Sequence, residues 1–233
     1  KKLNQLIYFG NKKEFKSYFL SPIGYVVVGI LLFVFSIFFY IISVQTGSVD
    51  LSSLYYYMAI YGLIIGAPIL TMRMFAEERK NGTEQLILTS PISITKVVLG
   101  KLISALGVIL ITLIISLGYY AIVSTFAKTS IIPIITSMVG FMLVSMAAIS
   151  IGMFASSITE NQVISAIITI AFLLMSIFME NINEIFSNIS LIHFYEKFPS
   201  GLISWTEVAG LVSFSLVFIL LTILVMQRRK TVK

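Results

Sequence analysis

Six long stretches of this 233-residue chain contain no charged side chain. They are residues 17–49, 51–72, 102–127, 129–159, 161–179 and 208–227, and no other gap between charges exceeds 11 residues. A membrane-spanning helix needs about 20 mostly apolar residues. A charge at the centre of such a helix costs about 2.5–3.5 kcal/mol on insertion scales. The spacing of the charges therefore predicts six membrane spans.

The composition supports a membrane protein. Apolar residues make up 58% of the chain and charged residues 11%, whereas soluble domains run near ~45–50% and ~25%. An ordinary soluble enzyme, a disordered tail and a disulfide scaffold are thereby excluded. The windows lack the strict alternation of a β-barrel, so helices are favoured. The expected fold is all-α, a polytopic membrane protein with six transmembrane helices.

The spans belong to a single domain, residues 21–233, which follows an amphipathic segment. Residues 1–20 alternate apolar and lysine positions at helical spacing and predict an N-terminal amphipathic interface helix. Between spans five and six, apolar positions from 182 to 194 predict a short external helix that lies at the outer surface or dips into it. The predicted spans are about 22–45, 54–74, 97–126, 131–156, 162–180 and 206–227.

Span two contains a Gly-x-x-x-Gly motif at Gly62 and Gly66, followed by Pro68. One interpretation is a site of close helix packing. The other is a glycine-tolerant span with a proline kink. The sequence leaves both open.

The cations are distributed unevenly. Five precede the first span, five lie between spans two and three, and four follow span six, so only Lys128 and Lys197 of the 16 fall elsewhere. Six spans place both termini on one side, and the positive-inside rule makes that side cytoplasmic. The basic termini favour contact with anionic lipid, and no nucleic-acid partner is expected.

The chain lacks the residues that catalysis would need. It has one histidine, His193, and no cysteine, so a zinc motif of the His-Glu-x-x-His type is impossible. Gly100-Lys101 is not the end of a phosphate loop, because Thr95 and Leu102 occupy positions that need Gly and Ser or Thr. The windows contain no Asp, Glu, Lys, Arg or His side chain for ion coupling. We expect no enzyme, no cofactor and no metal in this chain.

The loop after span two is the most polar internal stretch. It predicts a helix that continues past the membrane and is stopped by Asn81-Gly82 as a C-cap. Thr83 can cap a second short helix, and Glu84 suits the positive N-terminus of that helix. The second helix presents Leu86, Ile87 and Leu88. A short capped helix with an apolar side favours docking into a partner's groove, and the alternative is a solvated connection.

Several blocks of sequence carry a resemblance to a known family. The loop resembles the signature region of ABC-2-type transporter permeases in Glu77-Glu78-Arg79-Lys80-Asn81-Gly82-Thr83-Glu84-Gln85-Leu86, Thr89-Ser90-Pro91-Ile92 and Val98-Leu99-Gly100-Lys101. Residues 14–23 are similar to the start of such permeases. Residues 193–203 resemble the subgroup labelled gliding-motility-associated permeases.

The resemblance implies the membrane subunit of an ATP-driven ABC-2 exporter in a bacterial plasma (inner) membrane, multi-pass with both termini cytoplasmic. Such a permease forms the translocation path as a dimer, with an identical copy or a paralogue. It binds two copies of a P-loop ABC ATPase subunit, which hold the ATP and Mg.

The resemblance also implies two contacts with the ATPase. The coupling helix between spans two and three would be the main contact, and the loop between spans four and five a smaller one. The implied coupling residues are Glu77, Glu78, Arg79, Gly82, Thr83, Glu84, Gln85 and Leu86, with Thr159, Glu160 and Asn161 in the second loop. The alternatives are a stand-alone membrane carrier or channel, and a membrane scaffold without an ATPase partner.

Overall fold

The computed structural model describes residues 22–47, 50–90, 92–128, 130–179 and 190–232. Within these ranges, six helices are long and apolar enough to cross a membrane, and no β-strand occurs. The prediction of an all-α, six-span membrane protein is confirmed. The predicted N-terminal helix, residues 1–20, lies outside the described residues, as does most of the predicted external helix.

The helices follow the predicted spans closely. In chain order they are α1 (Pro22–Phe39, continued by a π-helical segment Tyr40–Gln45), α2 (Ser52–Tyr57), a π-helical segment Met58–Gly62, α3 (Leu63–Thr71), α4 (Ala76–Lys80), α5 (Glu84–Thr89), α6 (Ile94–Ser124), α7 (Ile132–Ile158), α8 (Gln162–Met179) and α9 (Trp205–Val232). Three bounds differ from prediction by three residues or more. The regular helix of span two ends at Thr71, α6 begins at Ile94, and α9 continues beyond 227 to Val232.

The fourth span, α7, is the centre of the bundle. It contacts α3, α6, α8 and α9, and its contact with α9 is the most extensive between two helices. Small residues let the neighbouring backbones approach closely. The buried face of α7 accordingly contains Gly140, Ala147, Ala148 and Gly152. A Cβ atom built on Gly152 would overlap the side chain of Thr71 in α3.

The glycine motif of span two serves packing at one of its two positions. A Cβ atom at Gly66 would lie 2.7 Å from Leu31 Cδ2 on α1. At Gly62 the nearest atoms belong to Met58 of the same span. Close packing against α1 therefore explains Gly66 alone, and Gly62 lies in the π-helical segment.

The segment before α9 packs into the bundle. Residues 191–201 form consecutive hydrogen-bonded turns, and Leu191, Ile192, Tyr195 and Phe198 are buried. The described part of the predicted external helix is therefore a run of turns that packs inward, and not a regular helix. Tyr195 explains the difference, because its hydroxyl donates to the Ser137 carbonyl at 3.1 Å. Burial raises the pKa of Tyr195 well above its ordinary value, so this donor stays protonated.

Candidate functional site

Three segments that are distant in sequence meet at one end of the bundle. They are residues 72–90, 156–162 and 225–230, which we call the polar platform. Helix α5 contacts both α4 and α9, and α4 contacts α7 and α8. All the coupling residues implied by the resemblance lie in this platform, so the structure brings the two predicted coupling loops together.

The entry to the platform is a break in the second span. The backbone N–H groups of Phe75 and Ala76 donate to Ser156 Oγ at 3.0 and 3.1 Å, and this hydroxyl donates to the Met72 carbonyl at 3.3 Å. The Ser156 hydroxyl of α7 thus takes the place of backbone hydrogen bonds that residues 75 and 76 would otherwise make within the second span. Insertion of a side chain into the backbone hydrogen bonds of a helix is a recognised cause of a sharp bend. The chain does continue as a helix to Lys80, as expected, but turns at residues 72–75 interrupt it.

A buried lysine joins the platform to α6. Lys101 Nζ lies 2.6 Å from Glu78 Oε1 and donates to the Met74 carbonyl at 2.7 Å. It also lies 5.1 Å from the centroid of the Phe75 ring, and its side chain is only 8% exposed. A buried ammonium is tolerated only when it is paired and hydrogen-bonded. The sequence singles out Lys101 only as part of a motif, and its pairing with Glu78 is apparent only in the folded structure.

Arg79 connects the two predicted coupling loops. Its Nε atom lies 2.8 Å from Glu160 Oε1, and its Nη1 atom donates to the Ile158 carbonyl at 3.1 Å. The same Nε atom is 3.9 Å from Glu84 Oε2. A guanidinium presents its donors in a fixed planar fork. One side chain therefore holds α4 against the loop between α7 and α8.

The end of α9 completes the platform. Arg229 Nη1 lies 3.1 Å from Glu84 Oε1, and Lys230 Nζ donates to the Ser90 carbonyl at 3.4 Å. Sequence analysis missed both cations as site residues. Glu84 and Arg229 are 145 positions apart, and no spacing or motif relates them.

The turn between α4 and α5 differs from the prediction in one respect. Gly82 has φ +72°, as the predicted C-cap requires. Thr83 Oγ1 donates to the Glu78 carbonyl at 3.1 Å, so it satisfies the end of α4 and not the start of α5. Glu84 occupies the first turn of α5 as predicted, where its negative charge suits the helix dipole.

Replacing Gly82 by Ala is expected to destabilise this turn by about 1 kcal/mol, because an L-residue is strained at positive φ. No atom lies within 4 Å of a Cβ built there, so steric overlap adds nothing. Faster amide hydrogen exchange at residues 81–86 would report the effect. The matched variant is Gly82→Asn, which should exchange more slowly than Gly82→Ala because Asn tolerates this conformation. Equal exchange in both variants would contradict the explanation.

The remaining coupling residues implied by the resemblance form two groups: some order the local backbone, and others are exposed on the surface. Asn161 Oδ1 accepts from the Val163 N–H at 2.9 Å, and Thr159 Oγ1 accepts from the Asn161 N–H at 3.1 Å, so both order the start of α8. Glu77 pairs loosely with Arg73 at 3.9 Å. Leu86 is 72% exposed and Gln85 is exposed, whereas Leu88 is buried. The outward surface of α5 therefore presents an unburied leucine.

No described residues form a group of three or more His, Asp or Glu side chains that could hold a metal ion.

The sequence model of the family described as ABC-2 family transporter protein matches residues 42–230, which include the whole polar platform. No curated protein matches this chain. The match is to the family as a whole, and the narrower resemblance to the gliding-motility-associated subgroup stays a prediction.

Proposed function

The chain belongs to the ABC-2 transporter family and is a permease component of an ABC-type transporter, and we propose that its polar platform docks a separate ABC ATPase. Permeases of this family are membrane components that are not themselves catalytic. ATP hydrolysis is accordingly assigned to the partner, which would hold ATP and Mg. The chain would form the translocation path of an exporter, with the platform receiving the motion of the ATPase.

The observation that carries this proposal is the way the platform is tied to the bundle. Motion of α4 and α5 would reach α6 through Glu78 and Lys101, α7 through Ser156, and α9 through Glu84 and Arg229. A loop that merely connected two spans would need none of these contacts. The exposed Leu86 supplies an apolar anchor of the kind that short helices insert into a groove.

The proposal includes two ATPase copies and a second permease, which is either an identical chain or a paralogue. The faces of α1 and α8 support the presence of a second permease. Only 17% and 22% of the residues in the most hydrophobic stretches of these two spans are buried within one chain. Any part of the exposed faces of α1 and α8 that a second permease does not cover would contact lipid.

The cations at the platform favour its placement on the cytoplasmic side of a bacterial inner membrane, with both termini on that side.

Replacing Leu86 by Asp is expected to weaken binding of the ATPase by about 30-fold or more, since a buried interface anchor contributes 2 kcal/mol or more. The measurement is a mild-detergent pull-down from the native membrane with mass spectrometry. Phe126→Asp is the matched control, because Phe126 is also highly exposed but follows the far end of α6. The control should retain the ATPase.

The outcomes separate the alternatives. Normal ATPase recovery with a folded Leu86→Asp variant would show that α5 is not the docking element. A folded wild-type protein that repeatedly brings no ATPase would favour a stand-alone carrier or a scaffold. Flux measured in liposomes without ATP then distinguishes these two, because only the carrier transports.

A further inference from the structure

A groove lies beside the ion pairs of the polar platform, between α5 and the end of α9. Its volume is ≈ 580 Å³, within the range of small-ligand sites. Its charged lining consists of Arg79, Arg228, Arg229, Glu84 and Glu160. The arginines outnumber the carboxylates, so the groove carries a net positive charge.

Both carboxylates of the groove are already engaged. Glu160 pairs with Arg79 at 2.8 Å and Glu84 with Arg229 at 3.1 Å. Arg228 forms no hydrogen bond or ion pair with any residue in the described ranges and is exposed. Each guanidinium offers five N–H donors and no acceptor. The groove therefore has a surplus of donors and suits an anion with several oxygen atoms.

The groove lies where a lipid headgroup would be. Arg228 directly follows the last charge-free window, 208–227. Val217, Leu220 and Leu224 precede it on the same face of α9 at spacings of three and four residues. These side chains are 53%, 57% and 59% exposed. An apolar track that would face acyl chains thus ends at an arginine beside the groove.

We propose that this groove binds the phosphate of an anionic phospholipid, with its acyl chains along the exposed face of α9. Guanidinium groups bind phosphate through two parallel hydrogen bonds, and basic pockets at the ends of membrane helices bind lipid headgroups. The lipid would contact Arg228 and Arg229, and through Arg229 it would adjoin Glu84 of α5. This site does not depend on an ATPase partner, so it stands or falls separately from the proposed function.

Native mass spectrometry of the full chain in mild detergent, with added phosphatidylglycerol or phosphatidylcholine, tests the site. We expect preferential retention of phosphatidylglycerol, and about fivefold weaker retention in Arg228→Gln, from the usual contribution of one cation near an anionic membrane surface. Lys96→Gln is the matched control, because Lys96 is exposed in the first turn of α6, outside the polar platform, and does not line the groove. It should bind phosphatidylglycerol as the wild type does. Inorganic phosphate at the same concentration should not displace the lipid.

Three kinds of result would overturn the proposal. The first is that retention depends neither on the headgroup nor on Arg228, seen as equal retention of phosphatidylglycerol and phosphatidylcholine or as normal binding of phosphatidylglycerol by Arg228→Gln. The second is displacement of the lipid by inorganic phosphate, which would assign the groove to a free anion. The third is an Arg228→Gln variant that loses a protein partner but keeps phosphatidylglycerol, which would assign the groove to an acidic segment of that partner.

Discussion

Replacing Lys101 by Met is expected to lower the free energy of unfolding by roughly 3 kcal/mol, because removing the buried member of a largely buried charge pair leaves the other charge uncompensated. Glu78 would lose its partner, and its Oε2 atom is already buried without a hydrogen bond. The Met74 carbonyl would also lose a donor. Denaturant-induced unfolding in detergent measures the change. We expect transport to be lost as well, since α4 would no longer be held to α6.

Two comparisons make the Lys101 result interpretable. Lys96→Met removes an exposed lysine from the first turn of the same helix, and it should change the free energy of unfolding by less than about 0.5 kcal/mol. A double variant, Lys101→Met with Glu78→Met, removes both charges and should recover much of the stability. If transport stays low in the stable double variant, the pair transmits motion. A Lys101→Met protein as stable as the wild type would refute the buried-pair explanation.

Replacing Gly152 by Ala is expected to lower the free energy of unfolding by about 2 kcal/mol, the usual size of an overpacking effect. The added methyl would overlap Thr71 where α3 and α7 cross. Thr71 cannot rotate away freely, because its hydroxyl donates to the Ala67 carbonyl at 2.8 Å and its branched side chain is buried. The helices must therefore separate, and thermal unfolding would report the loss.

Gly118→Ala is the matched control for the Gly152 variant. Gly118 lies within α6, and no atom lies within 4 Å of a Cβ built on it. Alanine is a better helix former than glycine by up to about 1 kcal/mol. The control should therefore be neutral or stabilising, opposite in sign to Gly152→Ala. A shared sign for the two variants would show that helix propensity, and not the contact with Thr71, governs both.

Some features of the polar platform were predictable from the sequence, and others were not. The turn at Gly82 was predictable, because the need for positive φ after a helix is local to the chain. The coupling segments came from the resemblance, and their residues do lie together. The sequence predicts that Thr83 caps the second short helix, whereas in the folded turn its hydroxyl donates to the Glu78 carbonyl.

The break before α4 and the ion pairs beyond it had no local signal. In the sequence, nothing distinguishes Ser156 from any other residue at the end of a span. It can accept hydrogen bonds from the second span only because the backbone of residues 72–76 lies within hydrogen-bonding distance in the folded protein. Arg229 follows the last span, where the positive-inside rule alone accounts for a basic residue, so the sequence does not indicate a structural role for it. Its contact with Glu84 requires α9 to pack along α7 and to extend beyond the bundle toward α5.

The membrane class, the six spans, their approximate bounds and the uneven distribution of charge all follow from the amino-acid sequence alone. These properties are local, because each span depends on whether one stretch of about 20 residues can enter hydrocarbon. The tertiary structure alone decided which spans neighbour α7, where Lys101 and Arg229 find their partners, and why Tyr195 turns inward. These features depend on pairwise distances between distant residues, which exist only after the helices have packed.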